Sequence, residues 1–130
     1  GQIIAHVASL QYTDPWAKAG IMFRENLSPG AKHATMVATA GGGSAFQWRP
    51  ETDKLSRNTD GPSMNLPCWV RLTRAGDFFT GEISADGKNW KRVDRIAVPM
   101  AKKIYVGLVL TAHNNAALNS AMFDSVSIAP

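Results

Sequence analysis

Cysteine is nearly absent: the 130 residues contain one, Cys68, so no intramolecular disulfide can staple the fold. It sits beside Trp69 in an apolar stretch and reads as a buried structural thiol. A disulfide-free domain of this size is stable on either side of a membrane, which leaves the compartment open. No apolar run approaches the roughly 18 residues needed to span a bilayer, and the segment from Gly1 has no basic-then-apolar leader. The chain is therefore expected to be soluble, a mature or excised piece with no membrane partner. No stretch sustains a 3.6-residue period, so little helix is expected. Linkers, internal repeats and low-complexity tracts are missing as well, so residues 1–130 are expected to form a single domain.

Charge is modest. Charged residues make up 18% and hydrophobic residues 45%, a balance that suits a globular core and argues against disorder. The formal net charge of +4 raises the question of phosphate binding. The fourteen Lys and Arg residues are spread along the chain with acids between many of them, and no nucleic-acid partner is expected.

Short alternating or apolar runs, separated by Gly, Pro, Asn and Asp, are what the chain has in abundance. This is the pattern of antiparallel β structure. Runs cover residues 3–10, 17–25, 31–40, 45–49, 68–74, 78–85, 90–98, 104–112 and 120–128. Breaks fall at Thr13-Asp14-Pro15, Ser28-Pro29-Gly30, Gly41-Gly42-Gly43, Ala75-Gly76-Asp77 and Asp86-Gly87-Lys88-Asn89. The small residues Ala17, Ala19 and Gly20 would admit a close neighbour. Residues 50–67 turn polar and are expected to be one long irregular segment, of the kind that is usually functional or mobile. Many short strands with close turn signals predict an all-β antiparallel β-sandwich.

Particular segments carry a resemblance. Ile4-Ala5-His6-Val7-Ala8-Ser9-Leu10 is followed by Thr13-Asp14-Pro15-Trp16-Ala17-Lys18-Ala19-Gly20-Ile21-Met22-Phe23-Arg24-Glu25. Further on come Ser28-Pro29-Gly30-Ala31-Lys32-His33-Ala34, Trp69-Val70-Arg71-Leu72, Ser84-Ala85-Asp86-Gly87-Lys88-Asn89-Trp90 and Tyr105 to Asn115. In this order they resemble modules of large secreted bacterial proteins in the concanavalin A-like lectin/glucanase superfamily. The resemblance implies a jelly-roll sandwich, an extracellular setting and an accessory role beside glycan-active or adhesive domains. The family pattern begins one or two strands earlier than Gly1, so an incomplete edge is expected: either the piece is truncated, another segment covers the edge, or a second molecule supplies the strand.

Glycosidases of this superfamily carry Glu-x-Asp-x-x-Glu on one strand. The nearest candidate, Glu82-Ile83-Ser84-Ala85-Asp86, puts its second acid in a hairpin turn, away from the close carboxyl pair a retaining mechanism needs. No catalytic residues are assigned. His6, His33 and His113 have spacings that match no short metal motif, and no metal site is assigned. Asp124 resembles the position where some sugar-binding sandwiches hold a structural calcium, although one acid falls far short of six to eight oxygen ligands.

The candidate ligand-binding residues are polar and aromatic. In the run 68–74, Val70 and Leu72 point to the core and leave Trp69, Arg71 and Thr73 on the opposite face. The same alternation is expected to bring His33, Thr35, Gln47, Arg49, Thr111 and His113 to that face, with Arg24 and the Asn114-Asn115 loop after His113 contributing. Aromatics stack on sugar rings, and Arg, Asn and Gln supply paired hydrogen bonds, so a poly- or oligosaccharide is the expected partner. The competing reading makes Trp69 and Trp48 core residues and the arginines solubilising groups. Trp90 is expected to plug the core. Three functions remain open at this point: a lectin-like binding module, an interaction module that docks neighbouring domains or a second copy, and an enzyme with an atypical site.

Overall fold

The computed structural model describes residues 1–130 as ten strands with no helix. They are β1 (Gln2–Leu10), β2 (Lys18–Arg24), β3 (His33–Thr39), β4 (Ser44–Arg49), β5 (Arg57–Asp60), β6 (Cys68–Ala75), β7 (Phe78–Ser84), β8 (Lys91–Ala97), β9 (Tyr105–Thr111) and β10 (Ala121–Ala129). Sheet I has the order β10-β1-β6-β7-β8 and sheet II the order β5-β4-β3-β2-β9. Every pairing is antiparallel, and the expected β-sandwich is what forms.

Alternation builds the core. Ile3, Ala5 and Val7 of β1, Val70 and Leu72 of β6 and Phe79 and Ile83 of β7 turn inward from sheet I. Ala19, Ile21 and Phe23 of β2, Ala34, Met36 and Ala38 of β3 and Phe46 of β4 meet them from sheet II. Each of the larger side chains stabilises the fold by about 1.5–3 kcal/mol on burial. Cys68 lies in this core with its thiol pushed up to about 11 by desolvation, consistent with an inert structural role. Trp48 packs against the same cluster.

Two details differ from the sequence pattern. Residues 50–67 are not wholly irregular, because Arg57–Asp60 pairs with β4 as β5. That strand carries Arg-Asn-Thr-Asp and has only one half-buried residue, so no apolar alternation marks it. On β1, simple alternation places Leu10 on the outer face, yet it packs against the core. An irregularity between Val7 and Ser9 shifts the phase by one residue.

One side of the sandwich is open. β9 and β10 are each one edge strand of their sheets, and because β1 packs against β2 and β8 against β4 and β5, they lie at the same side. Leu108 and Leu110 stand in register with the inward Ile21 and Ala19, and Ile128 with the inward Ile3, so all three face the inter-sheet space. Even so, Leu108 is 48% and Ile128 64% exposed. β9 has no charged residue, and the one acid of β10, Asp124, is paired with His6 of its own chain at 2.9 Å. Edge strands usually carry charge or proline to discourage pairing; these do not.

Inter-sheet spacing is set where Phe46 crosses from sheet II to lie over Gly81 of β7. A β-carbon at Gly81 would overlap the Phe46 ring and press on the Met36 sulfur. Gly81→Ala should therefore destabilise the domain by about 1–3 kcal/mol through overpacking, read as a lower urea midpoint at unchanged m-value.

Candidate functional site

The structure divides the nine sequence-predicted binding residues among three places. The expectation that they share one face is corrected: Trp69 and Arg71 lie on sheet I, Arg24, His33, Gln47 and Arg49 on sheet II, and the two outer faces point in opposite directions. Alternation within β2, β3, β4 and β6 does turn these side chains outward. Which strands share a sheet is a long-range matter that alternation does not encode.

On sheet I, Trp69 and Arg71 point outward as expected but are closed in. The His6 ring stacks on Trp69 with centroids 4.7 Å apart, and His6 Nδ1 lies 2.9 Å from Asp124 Oδ1. From the hairpin, Gly87, at φ 77°, lies so close to the Trp69 indole that a β-carbon there would sit about 3.0 Å from it. Both the imidazole and the glycine turn thus occupy surface that a stacked sugar would need. Arg71 gives its Nε and Nη2 to the two oxygens of Glu82 at 2.8 and 2.9 Å, while its guanidinium lies 4.3 Å over the Trp90 ring. Trp90 therefore belongs to this outer cluster and is not a core plug. The whole assembly is a structural brace.

The hairpin that helps close it is self-sufficient. The Asp86 carboxylate accepts the backbone N–H groups of Lys88 and Asn89, both at 2.8 Å, together with the Asn89 amide and the Ser84 hydroxyl. These donors hold the Asp86 carboxyl far below the usual carboxylate range. Glu82 and Asp86, the acids nearest to a glucanase motif in sequence, are both spent.

His113, Asn114 and Asn115 lie in the loop after β9. His113 adopts φ 50° and sits 3.9 Å from Asp14, and Asn114 closes its own turn by accepting from Ala116 at 3.0 Å. The three histidines thus occupy three separate regions. No group of three or more His, Cys, Asp or Glu side chains is close enough to hold a metal ion.

The outer face of sheet II is different. Four strands line up one side chain each, Tyr105 of β9, Arg24 of β2, His33 of β3 and Arg49 of β4, because Arg24 is in register with both Tyr105 and His33, and His33 with Arg49. The next outward row is Gly107, Met22, Thr35, Gln47 and Asn58. The middle of this face is shielded from solvent. Val37, in register with Gly20 and Ala45, points away from the core and is still only 1% exposed, and Thr35 and Ala45 are buried beside it. Tyr105 is 54% exposed, its ring available at the end of the row.

Local bonding holds the arginines. Arg24 donates from Nε to the Asn26 carbonyl and from Nη2 to the Ser28 carbonyl, at 3.2 and 2.6 Å. Arg49 donates to the carbonyls of Lys54, Pro29 and Ala31 through Nε and Nη1. Neither takes part in any of the ion pairs of the chain. His33, between them, bonds the Thr35 hydroxyl at 3.0 Å and lies 3.5 Å from that of Ser56. Burial, and then the charges of Arg49 and Arg24, lower its pKa to about 4, so the imidazole is neutral at physiological pH. Gln47 donates to Asn58 at 3.1 Å.

Tyr105 was not among the predicted site residues. Its outward side of β9 follows from alternation, but its place beside Arg24 follows only from the β2–β9 pairing.

No family model and no curated protein matches the chain. Among solved structures it is similar to a functionally unknown protein from Saccharomyces cerevisiae, at 20% identity and a TM-score of 0.73, over 99% of this chain and 69% of that one. A likeness at that identity bears on the fold alone.

Because His33 is held neutral in the fold and protonates near 6.5 when unfolded, the unfolded state takes up the proton first as pH falls. This residue should cost stability between about pH 6.5 and 4, a loss complete below the folded value. Urea unfolding across that interval should show a steeper decline for the parent chain than for His33→Gln.

Proposed function

We propose that this domain is a non-catalytic carbohydrate-binding module, and that the outer face of sheet II is where it binds. The observation that carries this reading is the in-register row Tyr105, Arg24, His33 and Arg49 beside the amides of Gln47 and Asn58. An exposed aromatic offers its face to the apolar side of a sugar ring, and guanidinium and amide groups match adjacent hydroxyls. The secreted bacterial setting, as an accessory to a larger protein, rests on the sequence resemblance. Binding is favoured over turnover because Glu82 is committed to Arg71 and Asp86 to its own turn.

The sheet assignment separates this reading from one centred on Trp69. Tyr105→Ala should weaken binding to a responsive polysaccharide by roughly tenfold while the fold survives, since the ring is mostly in solvent. Arg71→Ala should instead leave affinity unchanged and lower stability by about 1–3 kcal/mol, because it strands the half-buried Glu82 carboxylate. Affinity electrophoresis and urea unfolding on the two variants check both. A loss of affinity with Arg71→Ala alone would move the site to sheet I.

A second reading, self-association, is favoured by the open edge. One two-fold axis perpendicular to both sheets would continue β9 into its copy and β10 into its copy at once. Leu108, Leu110 and Ile128 of both chains would then share a single core. The edges oppose this with no charge beyond Asp124, which His6 already engages. Light scattering should show a dimer that Leu108→Lys dissociates; a monomer at high micromolar concentration rejects this reading.

A further inference from the structure

Two cations on the proposed binding face have no anion. Arg24 and Arg49 flank His33, two strand spacings or about 10 Å apart at the backbone. Neither meets a carboxylate within ion-pair distance, whereas Arg71 and Arg74 do. Glu25, adjacent to Arg24 in sequence, is engaged elsewhere, accepting the Ala101 N–H at 2.9 Å. Loop carbonyls occupy Nε and Nη2 of Arg24 and Nε and Nη1 of Arg49, which leaves Nη1 of the first and Nη2 of the second without a protein acceptor. The occupied nitrogens hold each guanidinium in place, so little side-chain entropy remains to be lost when a ligand takes the free ones.

Resting on the carbohydrate reading, we propose that the row Tyr105, Arg24, His33 and Arg49 selects an acidic sugar, with a carboxylate or sulfate group seated between the two guanidinium groups over His33. The two arginines supply charge-assisted hydrogen bonds to the anion, which are stronger than those to a neutral hydroxyl. Tyr105, next to Arg24, supports the ring face. Thr35 and Ser56 engage the two nitrogens of His33 and hold the imidazole beneath the anion. Because His33 remains uncharged, the site presents two positive charges rather than three crowded ones, and an arriving anion relieves their mutual repulsion.

The charges that act on His33 are Arg49 from β4 and Arg24 from β2, with Tyr105 of β9 beyond Arg24; a loop acid, Asp53, lies against Gly30, between the Pro29 and Ala31 carbonyls that hold Arg49. Occupancy by an anion therefore stabilises the imidazolium, and the His33 pKa climbs from about 4 toward the ordinary range.

The test compares an oligogalacturonate, a neutral oligogalactan of equal length and a sulfated oligogalactan against the intact chain. Calorimetry gives affinities, and NMR of the His33 ring gives its pKa in the same samples. At least one acidic ligand should bind roughly tenfold or more tightly than the neutral one at low salt, lose that advantage near 0.5 M NaCl, and raise the His33 pKa. The arm that responds identifies carboxylate or sulfate. Arg24→Gln should remove the preference; should that variant misfold, the His33 titration in the parent chain still decides. Equal affinity for acidic and neutral ligands, with Tyr105 engaged, overturns acid selectivity and leaves carbohydrate binding standing. Acidic binding that leaves His33 unmoved places the anion elsewhere and overturns the proposal. Failure of all three to bind counts against both readings.

Discussion

The register of β2 against its neighbours is the constraint on which the binding face depends. β2 is flanked by β3 and β9, and Arg24 reaches Tyr105 on one side and His33 on the other only at the observed alignment. Gly20 supports that alignment: a β-carbon there would collide with the Met36 carbonyl and the Val37 backbone, so glycine is what lets the two strands approach. A slip of one residue would bury Arg24 and expose Phe23. Core packing and surface chemistry are thus fixed by the same hydrogen-bonded ladder, one parity of β2 supplying Ala19, Ile21 and Phe23 to the core and the other Met22 and Arg24 to the site.

Much of the fold was legible in the sequence because the signals involved are local. Alternation and turn residues located nine of the ten strands, and the inward side of β6 followed from period two. The strand that escaped, β5, is polar throughout and owes its existence to pairing with β4. The site was legible only in pieces. Arg24, His33, Gln47 and Arg49 were recognisable as outward polar groups, but placing Trp69 and Arg71 beside them needed knowledge of sheet membership, and sheet membership rests on contacts far apart in sequence. Tyr105 was missed for the same reason. Trp69 itself carried an ambiguity that composition could not resolve: it does face outward, but His6 and the Gly87 turn cover its ring.

The two outer faces show how similar residues come to do different work. On sheet I the guanidinium of Arg71 meets a carboxylate and an indole, and polar groups are satisfied among themselves. On sheet II the guanidinium groups meet only backbone carbonyls, which fix their position without neutralising their charge. Partly used donors and an exposed ring make sheet II the face with bonding capacity left to offer. The open β9/β10 side is a separate matter. It exposes apolar side chains that belong geometrically to the core, while the row that ends at Tyr105 lies on the outer surface.

Backbone amide shift mapping during titration with a binding polysaccharide shows whether ligand meets the outer face of sheet II. Binding at that face should perturb only residues 22–24, 33–35, 47–49 and 105–107 and leave the amides of β6 and β7 unmoved. Perturbations centred on Trp69, Arg71 and the 84–90 hairpin, or spread evenly over both faces, would contradict it.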